Sequence, residues 1–404
     1  MARILILGAG FAGLWAAIGA ARKREEIGAK AAEVEILVID RNPYHNVRVR
    51  NYEVDLSDVA IPLVGLFDPV GVEHAIGDVQ AIDAARQQAV VTADGAREAL
   101  AYDRLVLALG SELARPAIPG LAAHGFDVDT YAAALKLEAH LAALGRRSEV
   151  EGHATVVVVG AGFTGIEVAT EMPARLEKAG LRDNVRVILV DPNPVVGATF
   201  GENGRPVINE ALSSLGVEAR LGVGVDRIEA DRIKLSSGEF IAAATVVWCA
   251  GMRPCPLAGS LPCERDHAGR LVVDAFMRAH GLTNVFAAGD VACRKLDASH
   301  ETVMSCQFAR PMGRYAGHNV MADLLGEPML PLDVNCYVTV LDLGAWGALY
   351  TEGWDRQVRT SGKEAKATKQ TINRLRIYPP RSGNRADLLA AAAPVVQAPP
   401  PTRS

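Results

Sequence analysis

Apolar and polar positions fall into one arrangement twice along this chain. Arg3-Ile4-Leu5-Ile6-Leu7 is a short apolar run that ends in Gly8-Ala9-Gly10-Phe11-Ala12-Gly13, and a stretch with helical spacing follows. Roughly 150 residues later, Val156-Val157-Val158-Val159 ends in Gly160-Ala161-Gly162-Phe163-Thr164-Gly165, again ahead of a helical stretch. Each unit then reaches a second apolar run that closes on an acid: Ile36-Leu37-Val38-Ile39-Asp40 and Val185-Arg186-Val187-Ile188-Leu189-Val190-Asp191. The G-x-G-x-x-G spacing has a physical reason. Its first glycine makes the strand-to-helix turn, its second lets a pyrophosphate approach the backbone, and its third lets the helix pack close. The helix N-terminus offers free N–H groups and partial positive charge to the phosphates, and the acid takes ribose hydroxyls. Two such units predict two dinucleotides bound by one chain, with flavin plus nicotinamide the expected pair.

The pattern beyond these units predicts a discontinuous first domain. Residues 1–118 form its first part and close on the strand Tyr102-Asp103-Arg104-Leu105-Val106-Leu107-Ala108-Leu109-Gly110-Ser111. A connector, Arg115-Pro116-Ala117-Ile118-Pro119-Gly120, leads into an alanine- and leucine-rich helical stretch over 121–150. The second domain, 119–272, ends after Thr245-Val246-Val247-Trp248-Cys249-Ala250-Gly251. The strand Asn284-Val285-Phe286-Ala287-Ala288-Gly289-Asp290 has no strand–helix–strand unit of its own, so 273–325 returns to the first domain. From 326 to 380, alternating strands separated by Gly344, Gly347 and Gly353 predict a small antiparallel sheet in a C-terminal α+β region. Residues 381–404 are alanine, proline and polar, and read as a disordered tail. The fold class is α/β, with two Rossmann-like domains, the second inserted in the first.

Composition narrows the partners. A net charge of −5 argues against nucleic acid. The six cysteines, Cys249, Cys255, Cys263, Cys293, Cys306 and Cys336, form no C-x-x-C, so neither a metal site nor structural disulfides are expected. The first strand begins within a few residues of Met1, leaving no room for a signal peptide, and no apolar run approaches the ~18–20 residues that span a bilayer. The expected location is cytoplasmic.

With Gly8–Gly13, Asp40-Arg41-Asn42-Pro43-Tyr44-His45, Ala108-Leu109-Gly110, Gly160–Glu167, Ala250-Gly251 and Gly289-Asp290 in this order, the chain resembles the two-dinucleotide flavoprotein (pyridine nucleotide-disulfide oxidoreductase) superfamily. Within it, the resemblance is to the type II NADH dehydrogenases, the NADH:quinone reductases. The resemblance implies FAD in the first domain and NADH in the second. Asp40 would hold the adenosine ribose of FAD, the backbone near Val79 would meet the adenine, and Asp290 would take the ribityl or pyrophosphate end. Asp191, with no arginine in Pro192-Asn193-Pro194 to compensate a 2′-phosphate, favours NADH over NADPH. Glu167 matches a family glutamate of the first helical turn that points at the nicotinamide–flavin junction, where it can orient the ring or relay a proton.

Relatives that use thiols place a Cys-x4-Cys pair, or a single cysteine, in the first domain near His45-Asn46-Val47-Arg48-Val49-Arg50, and this chain holds no sulfur there. What remains is hydride transfer from the nicotinamide to flavin N5 and delivery to an acceptor on the other face. On that side, Cys306-Gln307-Phe308-Ala309-Arg310-Pro311-Met312-Gly313 resembles the A-Q-x-A-x-Q-x-G segment that lines the quinone site. Gln307 and Ala309 match, Cys306 replaces the alanine and Pro311 replaces the second glutamine, which removes an amide from the head-group pocket. Lys363, Lys366, Lys369 and Arg376 recur where relatives carry a membrane-docking helix, but the opposite face is poor in apolar residues. That pattern suits a solvated helix, or at most peripheral contact with the inner face of the cell membrane or an acidic carrier. The leading function is an FAD-dependent NADH:acceptor oxidoreductase with a quinone as acceptor; the alternatives are a reductase of a small iron–sulfur carrier of ferredoxin or rubredoxin type, and a flavin- and NADH-binding redox sensor. A homodimer is compatible with each.

Overall fold

The computed structural model describes residues 2–144 and 151–400. The last part of the alanine- and leucine-rich stretch, 145–150, and the last four residues of the tail lie outside the described residues. Two five-stranded parallel sheets repeat one plan. In the first the order is Val285–Ala287, Arg104–Leu107, Arg3–Leu7, Glu35–Asp40, Glu73–Ile76. In the second it is Gly125–Phe126, Thr245–Trp248, Thr155–Val159, Arg186–Asp191, Val217–Leu221. The glycine-loop strand is central in both, flanked by the acid-ended strand and by a strand ending in a small-residue turn. That order puts the glycine loop, the acid and the turn at one edge, where ligands bind in open α/β sheets. Each sheet also carries a three-stranded antiparallel meander, over Asp78–Ala101 and Val225–Ala242.

Val285–Ala287 pairs in parallel with Arg104–Leu107, so the second sheet is inserted within the first unit. The α/β class with two Rossmann-like units is therefore as the sequence predicts. The strands Val338–Asp342, Ala348–Glu352 and Gln357–Ser361 form the small antiparallel sheet, followed by the helix Gly362–Thr371 and a π-turn over Ile372–Arg376.

The first glycine-loop helix, Phe11–Ile27, packs backbone to backbone on the helix Cys306–Leu325. A Cβ at Gly313 would lie 2.2 Å from the Ala12 carbonyl oxygen, and one at Gly317 would lie 2.1 Å from that of Ala16. Only glycine permits this approach. The crossing holds the start of the helix Cys306–Leu325 beside the first glycine loop. Pro311 is inside this helix, in its second turn. Lacking an N–H, it leaves the Gln307 carbonyl without its intrahelical donor.

The tail departs from expectation. Residues 385–391 form a helix, capped by the Asn384 side chain, which accepts from the Ala386 and Asp387 N–H groups. Leu388, Leu389 and Ala392 are buried in the main core, so the segment is ordered by apolar burial that its composition conceals. The second glycine-loop helix begins at Phe163, which makes Glu167 its fifth residue, at the start of the second turn where the resemblance implies the first.

Candidate active site

The two glycine loops share one plan. No side chain caps the helix at Gly10 or at Gly162, and a Cβ at either position would face open space. Gly13 and Gly165 sit against the carbonyls of Gly8 and Gly160, where a Cβ would come within 1.8 and 1.7 Å. Asp40 Oδ2 accepts from the Ala9 N–H at 2.7 Å, and Oδ1 from the Asn42 N–H at 2.8 Å. Asp191 repeats this with Ala161 at 2.6 Å and Asn193 at 2.8 Å. The shared D-x-N-P segments, Asp40–Pro43 and Asp191–Pro194, are the sequence signal for this brace. Both carboxylates therefore fix the loop first, and any ribose contact uses what capacity remains. Burial pushes the Asp40 carboxyl up, while the Ala9 and Asn42 N–H groups pull it back. His45 props the same loop through Nδ1, 2.9 Å from the Ala9 carbonyl, and burial lowers its pKa to about 4, so the ring is neutral.

A cavity of about 1030 Å³ opens at the first loop, at the upper end of the size range of ligand sites. Its walls include Gly8, Gly10, Phe11, Ala12, Asp40, Arg41, Val79, Ala108, Gly110, Gly289 and Asp290 from the first unit. Thr164 and Glu167 come from the second unit, and Gln307 from the helix Cys306–Leu325. Gly13, Gly160, Gly162, Gly165, Asp191, Ala250 and Gly251 do not line it. Gly13 packs under the loop, and the rest belong to the second sheet's own edge.

Asp290 is held by neighbours that the sequence reading missed. Its Oδ2 accepts from Ser111 Oγ at 2.6 Å, and Arg48 lies 3.9 Å away while pairing with Asp129. Burial raises the Asp290 pKa; the Ser111 bond and Arg48 oppose it.

Glu167 is 5% exposed, and Lys369 from the C-terminal helix is 6% exposed. Lys369 Nζ donates to Glu167 Oε1 at 2.7 Å and to the Val340 carbonyl at 3.0 Å, and the Asp342 N–H donates to the same Oε1 at 3.0 Å. Burial drives the Glu167 pKa up to about 7, with Lys369 working against it. Burial disfavours the Lys369 ammonium too, but Glu167 and Asp342 outweigh that and keep it charged. Asp342 also accepts from Tyr52 Oη and pairs with Lys366. Of the lysines that suggested a basic surface, Lys369 is thus spent inside the protein and Lys366 in a half-buried ion pair. The glutamate was legible in the sequence; its partner, 202 residues away, was not.

On the remaining wall, Gln307 Nε2 donates to the Cys336 carbonyl at 3.5 Å, and Ala309 is 5% exposed. Burial raises the Cys306 thiol pKa, with Arg310 and Lys369 opposing, so the sulfur stays protonated. All six cysteines are free. Among the described residues, the one cluster with metal-ligand character is Asp266, Cys293 and Glu301. The Arg270 guanidinium fills it, bonding Asp266 and Glu301 at 2.6 Å and the Cys293 sulfur at 3.3 Å. Among the described residues, no helix is long and apolar enough to cross a membrane.

Two glycine loops on two parallel sheets, the second inserted in the first unit, find their match in known proteins. The family model described as pyridine nucleotide-disulphide oxidoreductase matches residues 2–313. The chain belongs to this family. It is an oxidoreductase by that membership. It is 54% identical over 400 residues to an "NADH dehydrogenase-like protein" of Mycobacterium tuberculosis, covering 98% of this chain and 99% of that protein. It is 30% identical over 358 residues to a demethylphylloquinone reductase of Synechocystis, covering 86% of each. Among solved structures, NDH2 from Plasmodium falciparum superposes with a TM-score of 0.77 over 97% of both chains at 13% identity, a likeness of fold.

Proposed function

We propose that the chain is an FAD-dependent NADH:quinone oxidoreductase. The observation that carries this reading is the single cavity that joins the first glycine loop to Glu167 on one side and to Gln307 and Ala309 on the other. The uncapped helix start at Gly10, its open cradle and the cavity's volume fit FAD. The bound flavin supplies the capacity to take a hydride and pass on its electrons. The second loop, at Gly160 to Gly165 with Asp191, fits NADH, and Ala250 and Gly251 border it.

The chain's own contribution is positioning and proton handling. The Asp40 brace shapes the loop for phosphates, and Ser111 orients Asp290 at the cavity wall. Glu167, with a pKa of about 7, holds or releases a proton at its carboxylate near neutral pH, and Lys369 keeps that carboxylate in place. The Cys306 thiol at the cavity wall, its pKa raised by burial, stays protonated, which supports a reaction without sulfur. The internal use of Lys366 and Lys369 weakens the reading as a reductase docking an acidic iron–sulfur carrier, and it leaves at most peripheral membrane contact. The names of the relatives support a quinone.

Purified protein should be yellow with about one FAD per chain. Stopped-flow mixing with NADH should bleach the flavin, and menadione should restore it faster than a ferredoxin does. Protein that takes up no flavin on reconstitution refutes the reading. Flavin reduction with reoxidation by ferredoxin alone refutes the quinone half.

A further inference from the structure

The buried arginines of this protein differ in how their charge is met: Arg175 makes no salt bridge among the described residues but feels Glu138 and Glu171, and others pair with acids directly. Arg50 pairs with Glu53 and Asp58, and Arg270 with Asp266 and Glu301. Arg310 and Arg314, 8% and 6% exposed, pair with no carboxylate among the described residues. Spaced i,i+4, they project from one face of the helix Cys306–Leu325. Both line the cavity that Gln307 and Ala309 line. Their guanidinium carbons lie 5.7 and 4.4 Å from the centre of the Trp15 ring, and their Nε atoms, like Trp15 Nε1, are buried without a partner. Arg376, from the π-turn, lines the same cavity and also lacks an acid.

Besides the Trp15 ring, the groups that meet these charges among the described residues are neutral oxygens of the C-terminal segment. Gln397 Oε1 accepts from Arg310 at 2.8 Å, the Val395 carbonyl from Arg314 at 3.4 Å, and the Ala398 carbonyl from Arg376. Burial lowers all three pKa values, that of Arg314 to about 10, and the neighbouring guanidiniums lower those of Arg310 and Arg314 further. Uncompensated positive charge in a buried wall is costly unless a ligand neutralises it. An uncharged quinone with an isoprenoid tail does nothing for it; an anion does.

We propose that Arg310, Arg314 and Arg376 bind an anionic substituent, a carboxylate or phosphate, on the quinone that accepts the electrons. The inference rests on the quinone reading above and names the substrate class. The arginines anchor the acid group while the ring lies past Ala309. NADH and one proton then convert the quinone to its hydroquinone and NAD⁺, with two electrons and two protons delivered to the quinone oxygens. Pro311 fits this assignment, because a guanidinium anchor replaces the missing glutamine amide.

The test compares 1,4-naphthoquinone-2-sulfonate, an anionic probe, with neutral menadione. The wild-type protein should favour the sulfonate in kcat/KM. Arg310→Gln and Arg314→Gln should each lower the sulfonate-to-menadione ratio at least tenfold, Arg314→Lys should restore part of it, and added salt should lower it. Redox-inert naphthalene-2-sulfonate, titrated against the visible spectrum of the bound flavin, should bind at least tenfold more weakly to both glutamine variants. An unchanged ratio in FAD-loaded variants overturns the proposal. So does loss of FAD on either substitution, which would assign the arginines to the flavin phosphates. If the wild-type reduces neither quinone, the quinone reading fails, and naphthalene-2-sulfonate alone decides the arginine site. Weakened binding in both variants supports an anion site there; equal binding overturns it.

Discussion

Replacing Lys369 with methionine removes the cation 2.7 Å from Glu167 while keeping most of the side-chain volume. With lysine present, burial already holds the Glu167 pKa at about 7 against an ordinary value of 4.5. That difference is about 3 kcal/mol in proton affinity, at about 1.4 kcal/mol per unit. The sign follows from proton counting. Between pH 4.5 and 7 the folded protein binds this proton and the unfolded chain has lost it, so the group's contribution is full at low pH and falls as pH rises through that window. Without Lys369 the pKa rises further and the falling limb extends above pH 7. Breaking a buried pair costs about 3–5 kcal/mol when the remaining charge has no partner. Urea unfolding should therefore show Lys369→Met destabilised by about that amount near pH 8. Near pH 5, where Glu167 is protonated in both proteins, the loss should shrink to about 1–2 kcal/mol, the value of a hydrogen bond. Adding Glu167→Gln should recover stability at pH 8 and flatten the pH dependence, and the double-mutant cycle gives the coupling. Equal destabilisation at pH 5 and pH 8, or a double variant weaker than the single at pH 8, would refute the ion-pair account.

Asp191→Asn should lower the NADH-to-NADPH ratio of kcat/KM by about tenfold, the loss of one charge-assisted contact; steady-state kinetics with an unchanged ratio would remove Asp191 from cofactor choice. Cys306→Ala should keep NADH-driven flavin reduction within a few-fold in stopped flow, since the thiol is protonated; complete loss in FAD-loaded protein would point to sulfur chemistry. Gly317→Ala, whose Cβ would meet the Ala16 carbonyl oxygen at 2.1 Å, should cost about 2–3 kcal/mol or more in urea unfolding. A variant as stable as the parent would mean that the helix pair can part. Ala309→Trp should slow reoxidation by menadione at least tenfold while NADH reduces the flavin at nearly the parent rate; equal slowing of both would place this helix elsewhere.

The sequence by itself determined the parts whose physics is local. Gly8 to Gly13 and Gly160 to Gly165 are legible because a strand-to-helix turn over a phosphate needs glycine at fixed spacing, whatever the rest of the chain does. The acids Asp40 and Asp191 follow at the ends of the next strands for the same reason, although their first task is to brace the loop. The return of Val285–Ala287 to the first sheet was legible too, from a strand left without its own unit. Tertiary structure decided what each charge does. Lys369 and Lys366 read as a solvated basic face, yet folding brings them to Glu167 and Asp342, and the sequence holds no sign of that pairing. Leu388 and Leu389 sit in a composition that reads as disorder, but the groove along the helix Phe11–Ile27 gives them somewhere to be buried. Arg310 and Arg314 look like ordinary arginines until packing buries them without an acid beside the half-buried Arg376. Glycine acts through its own backbone, so its meaning travels with the sequence; a charge acts through what surrounds it, and only the fold supplies that.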